Sequence, residues 1–195
     1  MVCGGEVADW TGLKPTLIIL AALWGLMAVS GCAKPRPPQP FDVPVESRLI
    51  LQVPFFSAET VAGAAGALAE VMTYNGRPVT AERIILALDE NPPTPHALVV
   101  RARDEGLEAL YYSADPSRLV ESVRAGRPLI VRLGADAPPL SAGDYAVVVG
   151  YSPEGVVVNS RSINQQIVAW GPFLTGWLRA RNLAIEITPE TNYNF

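Results

Sequence analysis

The feature that most restricts this chain of 195 residues is an apolar run of fourteen, Thr16–Val29, that stops at Ser30-Gly31-Cys32 and gives way to prolines. Fourteen residues are too few to cross a hydrocarbon core of ~30 Å, which takes roughly 20. A short apolar core behind a basic residue, here Lys14, that closes on small residues has the layout of a secretory signal. Glu6 and Asp9 depart from that layout, which ordinarily carries positive charge there. Residues 33–47 hold five prolines and read as an extended spacer of up to ~3.1 Å per residue. A core must therefore be built within residues 48–189, the size of one ordinary domain, with 190–195 as a tail.

The ending Val29-Ser30-Gly31-Cys32 resembles the bacterial lipobox. That resemblance implies lipidation of Cys32 and cleavage just before it. The expected organisation is a signal peptide over 1–31, a lipidated cysteine and proline-rich tether over 32–47, and a folded domain over 48–189. A lipid anchor implies a membrane partner and a place in the bacterial cell envelope. Ala33, where an Asp would suggest retention at the inner membrane, favours the periplasmic face of the outer membrane. Cleavage leaves residues 32–195 with a net charge of −3 and no cysteine except Cys32, so no disulfide is expected despite an oxidising destination.

Composition removes several functions. Charged residues make up 17% and hydrophobic ones 49%, which excludes a disordered acidic chain. No surplus of clustered Lys and Arg marks a nucleic-acid footprint. Two cysteines and the lone His96 leave too few ligands for a zinc or haem site, so neither metal nor cofactor is expected.

The folded part reads as helices first and strands later. Arg48–Val53 is a predicted strand, and Thr60–Tyr74 an amphipathic helix with one buried face made of Val61, Ala64, Ala65, Leu68, Val71 and Met72. Thr80 caps a predicted helix over Ala81–Leu88, and Pro95 opens another that runs to Glu105 and stops at Gly106. Leu107–Tyr112 is a predicted strand, and Asp115-Pro116 caps a helix through Arg124. Strands are predicted over Leu129–Leu133, Tyr145–Tyr151, Gly155–Asn159, Ile163–Trp170 and Leu183–Ile187, with a hairpin at Ser152–Gly155 and a short helix over Pro172–Arg181.

Four segments, in order, carry a family resemblance: Val53-Pro-Phe-Phe56, Gly63-Ala-Ala-Gly-Ala-Leu68, Tyr74-Asn-Gly76 and Asp144-Tyr-Ala-Val-Val-Val-Gly-Tyr151. Together with Phe173, Trp177, Ala184 and Pro189 near the end, they resemble the papain-like bacteriocin-leader (double-glycine) cysteine peptidases over roughly Leu49 to Pro189. The resemblance implies an α+β, papain-like fold, an N-terminal helical lobe packed on a C-terminal antiparallel sheet. It also implies a site. In that family a Cys at the start of the central helix is activated by the helix dipole and a nearby His. A Gln five residues upstream supports the oxyanion, and an acid or amide orients the His.

In this chain the Cys position falls on Gly63, or on Ala62 with a slip of one residue. The Gln position falls on Ala58, the His position on Asp144, and the orienting position on Asn159 or Ser160. Gly and Ala supply no thiolate, and a carboxylate is a poor substitute for an imidazole that must later return a proton near pH 7. The resemblance therefore implies a peptidase-like domain without catalytic residues, whose cleft binds a peptide or an envelope protein by strand addition. Two rivals stand beside it: a hydrolase with a relocated nucleophile, such as Ser57 or Thr60 served by Asp144, and a purely structural envelope lipoprotein. His96 reads as an exposed or capping imidazole, Trp170, Phe173 and Trp177 as core, and Arg101–Glu105 as the solvated side of a helix. Asn159-Ser160-Arg161 is either a polar turn or a donor set for a bound peptide, and Gly63 and Gly66 mark close packing or an open cleft floor.

Expressed in a bacterium, the chain is expected in the membrane fraction, and Cys32→Ser is expected to release it or leave it as unprocessed precursor. Acyl burial contributes ~0.8 kcal/mol per CH₂, enough for two or more chains to hold the domain. Fractionation with N-terminal sequencing checks this, and a soluble form with a free N-terminus elsewhere than Cys32 would refute it.

Overall fold

The computed structural model describes residues 47–56, 63–88, 93–134, 145–160 and 163–190. Cys32, Ala58, Ala62 and Asp144 lie outside the described residues, as do Ser57, Thr60 and Arg161. No helix among the described residues is long and apolar enough to cross a membrane.

The elements follow chain order: β1 (Leu49–Ile50), α1 (Gly63–Tyr74), α2 (Ala81–Ala87), α3 (Pro95–Asp104), β2 (Leu107–Ser113), α4 (Pro116–Arg124), β3 (Leu129–Arg132), β4 (Tyr145–Tyr151), β5 (Gly155–Ser160), β6 (Ile163–Ala169), α5 (Trp170–Arg179) and β7 (Leu183–Pro189). Local chemistry sets most boundaries. The side chains of Thr80, Thr94 and Asp115 accept from the backbone N–H groups of Arg83, Ala97 and Arg118, so each satisfies one donor that a helix start leaves free. Gly106 and Gly126 stop α3 and α4 with φ of 76° each, a left-handed conformation that only glycine adopts cheaply.

The strands form one antiparallel sheet in the order β2-β7-β3-β4-β5-β6, with β1 pairing with β4 beyond the end of β3. Only Leu49 and Ile50 of the predicted first strand join the ladder, although Leu51 N–H still donates to Val149 O at 2.8 Å. The Ser152–Gly155 hairpin forms as expected, with each end donating to the other. At the other end of β6 the expected strand is one residue shorter, because Trp170 opens α5.

The α+β, papain-like expectation holds, and the helices occupy both faces of the sheet. Val147, Val149, Ile130, Ile185 and Ile187 pack against α1, α2 and α3. Their neighbours Ala146, Val148, Leu129, Val131 and Ala184 point the other way, onto Leu119 and Val123 of α4 and Phe173 and Trp177 of α5. This double cover explains why all seven residues of β4 are buried. On the α4 side, Glu186 of β7 is buried and held by Arg118 and Arg127 at 3.2 Å each and by Tyr112 Oη at 2.6 Å. That group joins β2, β7 and α4 and compensates the carboxylate with charge-assisted hydrogen bonds.

One expectation about α1 needs correction. Every residue from Ala64 to Met72 is buried, so the helix has no single apolar face. It lies between the sheet and the pair α2 and α3, and small residues at Ala64, Ala65, Gly66, Ala67 and Ala69 allow neighbours to close around it. At its end, Asn75 Nδ2 donates to Ile187 O at 3.1 Å and Tyr74 Oη to Gly126 O at 3.0 Å, which fixes α1 to β7 and to the turn after α4.

Trp177 is fully buried and its Nε1–H donates to Leu183 O at 2.9 Å. Trp177→Ala removes both the ring and that bond, and is expected to cost about 3–5 kcal/mol in urea unfolding. A loss below about 1 kcal/mol would contradict this packing.

Candidate functional site

Gly63, Gly66, Ala67 and Glu70 recur every three or four residues along α1 and so share one face of the helix. Two glycines and an alanine therefore precede Glu70 on that face, Gly66 and Ala67 buried like Glu70 itself. Phe56, from the segment after β1, Tyr145 at the start of β4, and Asn159 and Ser160 at the end of β5 face it, and these eight residues line one narrow cleft.

Glu70 lies at the base of the cleft and is only 4% exposed. Phe56 N–H donates to its Oε1 at 3.2 Å and Asn159 Nδ2 to its Oε2 at 3.1 Å. Burial pushes the carboxyl up from its ordinary 4.5 to about 7, outweighing the two hydrogen bonds, which act in the opposite direction. Among the described residues that line the cleft there is no Lys, Arg or His to offset the charge. Glu70 therefore exchanges a proton near neutral pH in a site with little water.

Asn159 is held at both ends of its amide. While Nδ2 serves Glu70, Oδ1 accepts from Gln165 N–H at 3.0 Å. The β5–β6 register slips between Val158 and Ser160, which takes Asn159 out of the pairing with β6, though it stays paired with Val147 of β4, and its side chain receives the Gln165 N–H instead. Gln165 pays for this with a φ of 51°, a left-handed conformation that costs a non-glycine residue about 1–2 kcal/mol. Tyr145 donates from its hydroxyl to Pro93 O at 3.3 Å, and the Arg132 guanidinium sits 5.9 Å from its ring centre. Burial raises the phenol's pKa, and Arg132 opposes that rise.

The structure brings Gly63, Asn159 and Ser160 together in this cleft. Ala58 and Asp144 lie outside the described residues, while Tyr145, next to Asp144, lines the cleft. Asn159 is not a turn residue: it is buried within β5 and commits both amide atoms to neighbours. His96 is exposed near the start of α3 and is not among the cleft residues. Phe173 and Trp177 are core, with ring centres 5.7 Å apart, and Trp170 anchors the hairpin by donating to Ser152 O at 3.0 Å. The solvated reading of Arg101–Glu105 fails for Arg101, whose side chain is only 16% exposed and pairs with Glu105, and Arg103 is tied to Ala109 O.

Glu70 is absent from the residues that the sequence pattern singles out. Its signal was one acid inside the otherwise small and apolar stretch Ala64–Met72. Reading that helix as one-faced assigns the acid to solvent and hides it.

No protein-family model and no curated protein sequence matches this chain. Solved structures do. A putative C39-like peptidase from Bacillus anthracis superposes with a TM-score of 0.62 at 18% identity, over 74% of this chain and 98% of that one. A double-glycine-motif protease from an AMS/PCAT transporter, in complex with its leader peptide, gives 0.59 at 17% identity over 72% and 94%. The peptidase domain of Streptococcus ComA, a bi-functional ABC transporter, gives 0.58 at 18% identity over 70% and 97%. The fold is that of a C39-like peptidase domain.

Folding raises the Glu70 pKa, so between pH 4.5 and about 7 the folded protein keeps a proton that the unfolded chain releases. Stability from this group is therefore greatest below pH 4.5 and falls as pH rises to about 7. Relative to Glu70→Gln, the native protein is expected to lose on the order of 3 kcal/mol between pH 4.5 and 8, read from urea unfolding at several pH values. Parallel pH profiles for the two proteins would show that Glu70 titrates normally.

Proposed function

We propose that this chain is a lipid-anchored bacterial envelope protein whose C39-like domain has lost peptidase chemistry and kept the cleft as a site for an extended peptide. The observation that carries the reading is the residue that opens α1 in the cleft. It is Gly63, onto which the resemblance carries the family's nucleophile position (Ala62 with a slip of one residue), and the chain contains no cysteine after Cys32. Asn159, at the orienting position, is committed to Glu70 and to the Gln165 backbone. A peptide-bound state fits the fold, since the AMS/PCAT protease was solved with a leader peptide in place. Strand addition, in which main-chain bonds supply affinity, is the binding mode proposed for that peptide. The lipobox-like ending at Cys32 supports the anchor and a place at the periplasmic face of the outer membrane.

The purified chain is expected to leave a double-glycine leader peptide uncut. Cleavage after the double glycine that disappears on mutating a residue within 48–195 would overturn the reading and favour a relocated nucleophile. A gain-of-reactivity variant tests the geometry itself. In Ala58→Gln/Gly63→Cys/Asp144→His the new thiol is expected to react with iodoacetamide at pH 6–7 faster than a thiol of pKa ~8.5 allows. A folded variant whose thiol titrates like an exposed one would remove the main support for a retained peptidase cleft.

A further inference from the structure

We infer that the outer edge of β2 is a pairing surface for a second copy of this chain, which joins it antiparallel about a twofold axis at Tyr112. β2 ends the sheet on the side away from β5, so its far edge has no strand neighbour among the described residues. The bonds around β2 reveal which of its backbone groups face that edge. Ala109 O accepts from the Arg103 guanidinium at 2.9 and 2.6 Å. Ile187 and Leu183, the β7 residues opposite Ala109 and Ser113, give their carbonyls to Asn75 Nδ2 at 3.1 Å and to Trp177 Nε1 at 2.9 Å. Opposed residues of an antiparallel ladder either exchange both bonds or exchange none. Ala109, Tyr111 and Ser113 are therefore the non-exchanging set, and their N–H and C=O groups point outward. Ala114, of the other parity, donates to Asn182 O at 3.0 Å, as this phase requires.

Only part of this edge is closed. Arg103 covers Ala109 O, a charged guard of the kind that keeps strand edges from pairing. Beyond it, the outward backbone groups of Tyr111 and Ser113 have no hydrogen-bond partner among the described residues. Leu110 and Tyr111 stand there 50% and 48% exposed. As successive strand residues they put one large side chain on each face, so a strand added at this edge would gain apolar cover on both sides.

Charge selects a second copy over another extended chain. Arg103 lies at one end of the open stretch and Asp115 just past the other; both are exposed, and neither has an ion-pair partner among the described residues. About an axis at Tyr112, Tyr111 meets the partner's Ser113 on each side, and the joint carries about four main-chain hydrogen bonds. The same axis brings Ala109, with Arg103 on its carbonyl, opposite the partner's Asp115. Each cation meets an anion, once at either end, in an isologous contact in which one patch serves both subunits. The cleft draws on α1, β4 and β5, and pairing at β2 uses none of its residues.

The test uses the full chain purified in detergent, with sedimentation equilibrium in density-matched buffer from about 1 to about 100 μM. The native chain is expected to form a dimer whose share grows with concentration. Tyr111→Pro removes one outward N–H and no bond to β7, a place where an edge strand tolerates proline, and is expected to stay monomeric throughout. Asp115→Asn keeps the helix cap and removes the charge, and is expected to weaken the dimer about fivefold at low salt. A further measurement needs no variant: in the native chain, amide hydrogen exchange at Tyr111 and Ser113 should slow as concentration rises. A native chain that stays monomeric over the whole range would overturn the inference. So would a native dimer whose affinity neither variant lowers, or whose Tyr111 and Ser113 amides exchange equally fast at every concentration, since the contact would then lie elsewhere. If Tyr111→Pro does not fold, Asp115→Asn and the exchange rates decide.

Discussion

The fold depends on the burial of α1. A helix that touches a sheet on one side and two helices on the other has no solvent face, so each of its positions must suit a close neighbour. From Ala64 to Met72 the chain meets that demand with alanines, a glycine, Leu68, Val71 and Met72, and makes one exception at Glu70. The same helix is pinned at its end by Tyr74 and Asn75, whose side chains reach the turn after α4 and strand β7. Displacing α1 would therefore open both the helical layer and the sheet beneath it.

Glu70 shows how such an exception is accommodated. Its two hydrogen bonds come from the two borders of the cleft, the Phe56 backbone on one side and Asn159 on the other. They do not repay the loss of water, and the carboxyl's raised pKa is the measure of the shortfall. The contrast with Glu186 is informative. Glu186 is as buried, but two guanidinium groups and a phenol surround it, so its charge is compensated within the protein. One buried acid closes a structural joint. The other faces a narrow cleft whose described lining brings no cation, and its proton affinity rises instead.

Much of the architecture was legible in the residues. The Thr80, Thr94 and Asp115 caps, the Gly106 and Gly126 stops and the Ser152–Gly155 hairpin follow from local chemistry, and each forms where the pattern puts it. The site was legible only in part. Gly63, Asn159 and Ser160 converge because order along a resembling family carries spatial information. Glu70 escaped because helical periodicity describes a helix with one wet side, and α1 has none. Arg101 escaped for a related reason, since a charged stem covered by its neighbours looks identical, in sequence, to one in water.

What the sequence by itself determined is what depends on inventory and on neighbours a few residues apart: an apolar run closing on Cys32, a domain without a further thiol, caps, turns and alternating strands. These are local, because capping and pleating act over one to four residues. The tertiary structure alone decided that Glu70, Asn159 and Gln165 form one hydrogen-bonded line, that the Gln165 N–H turns to the Asn159 side chain where the β5–β6 register slips, and that two glycines share a narrow cleft with a buried acid. Glu70 and Asn159 stand 89 positions apart in the chain, and the carboxyl's proton affinity is set by the water that packing removes from it. Desolvation is a property of the closed fold, and no short stretch of residues carries it.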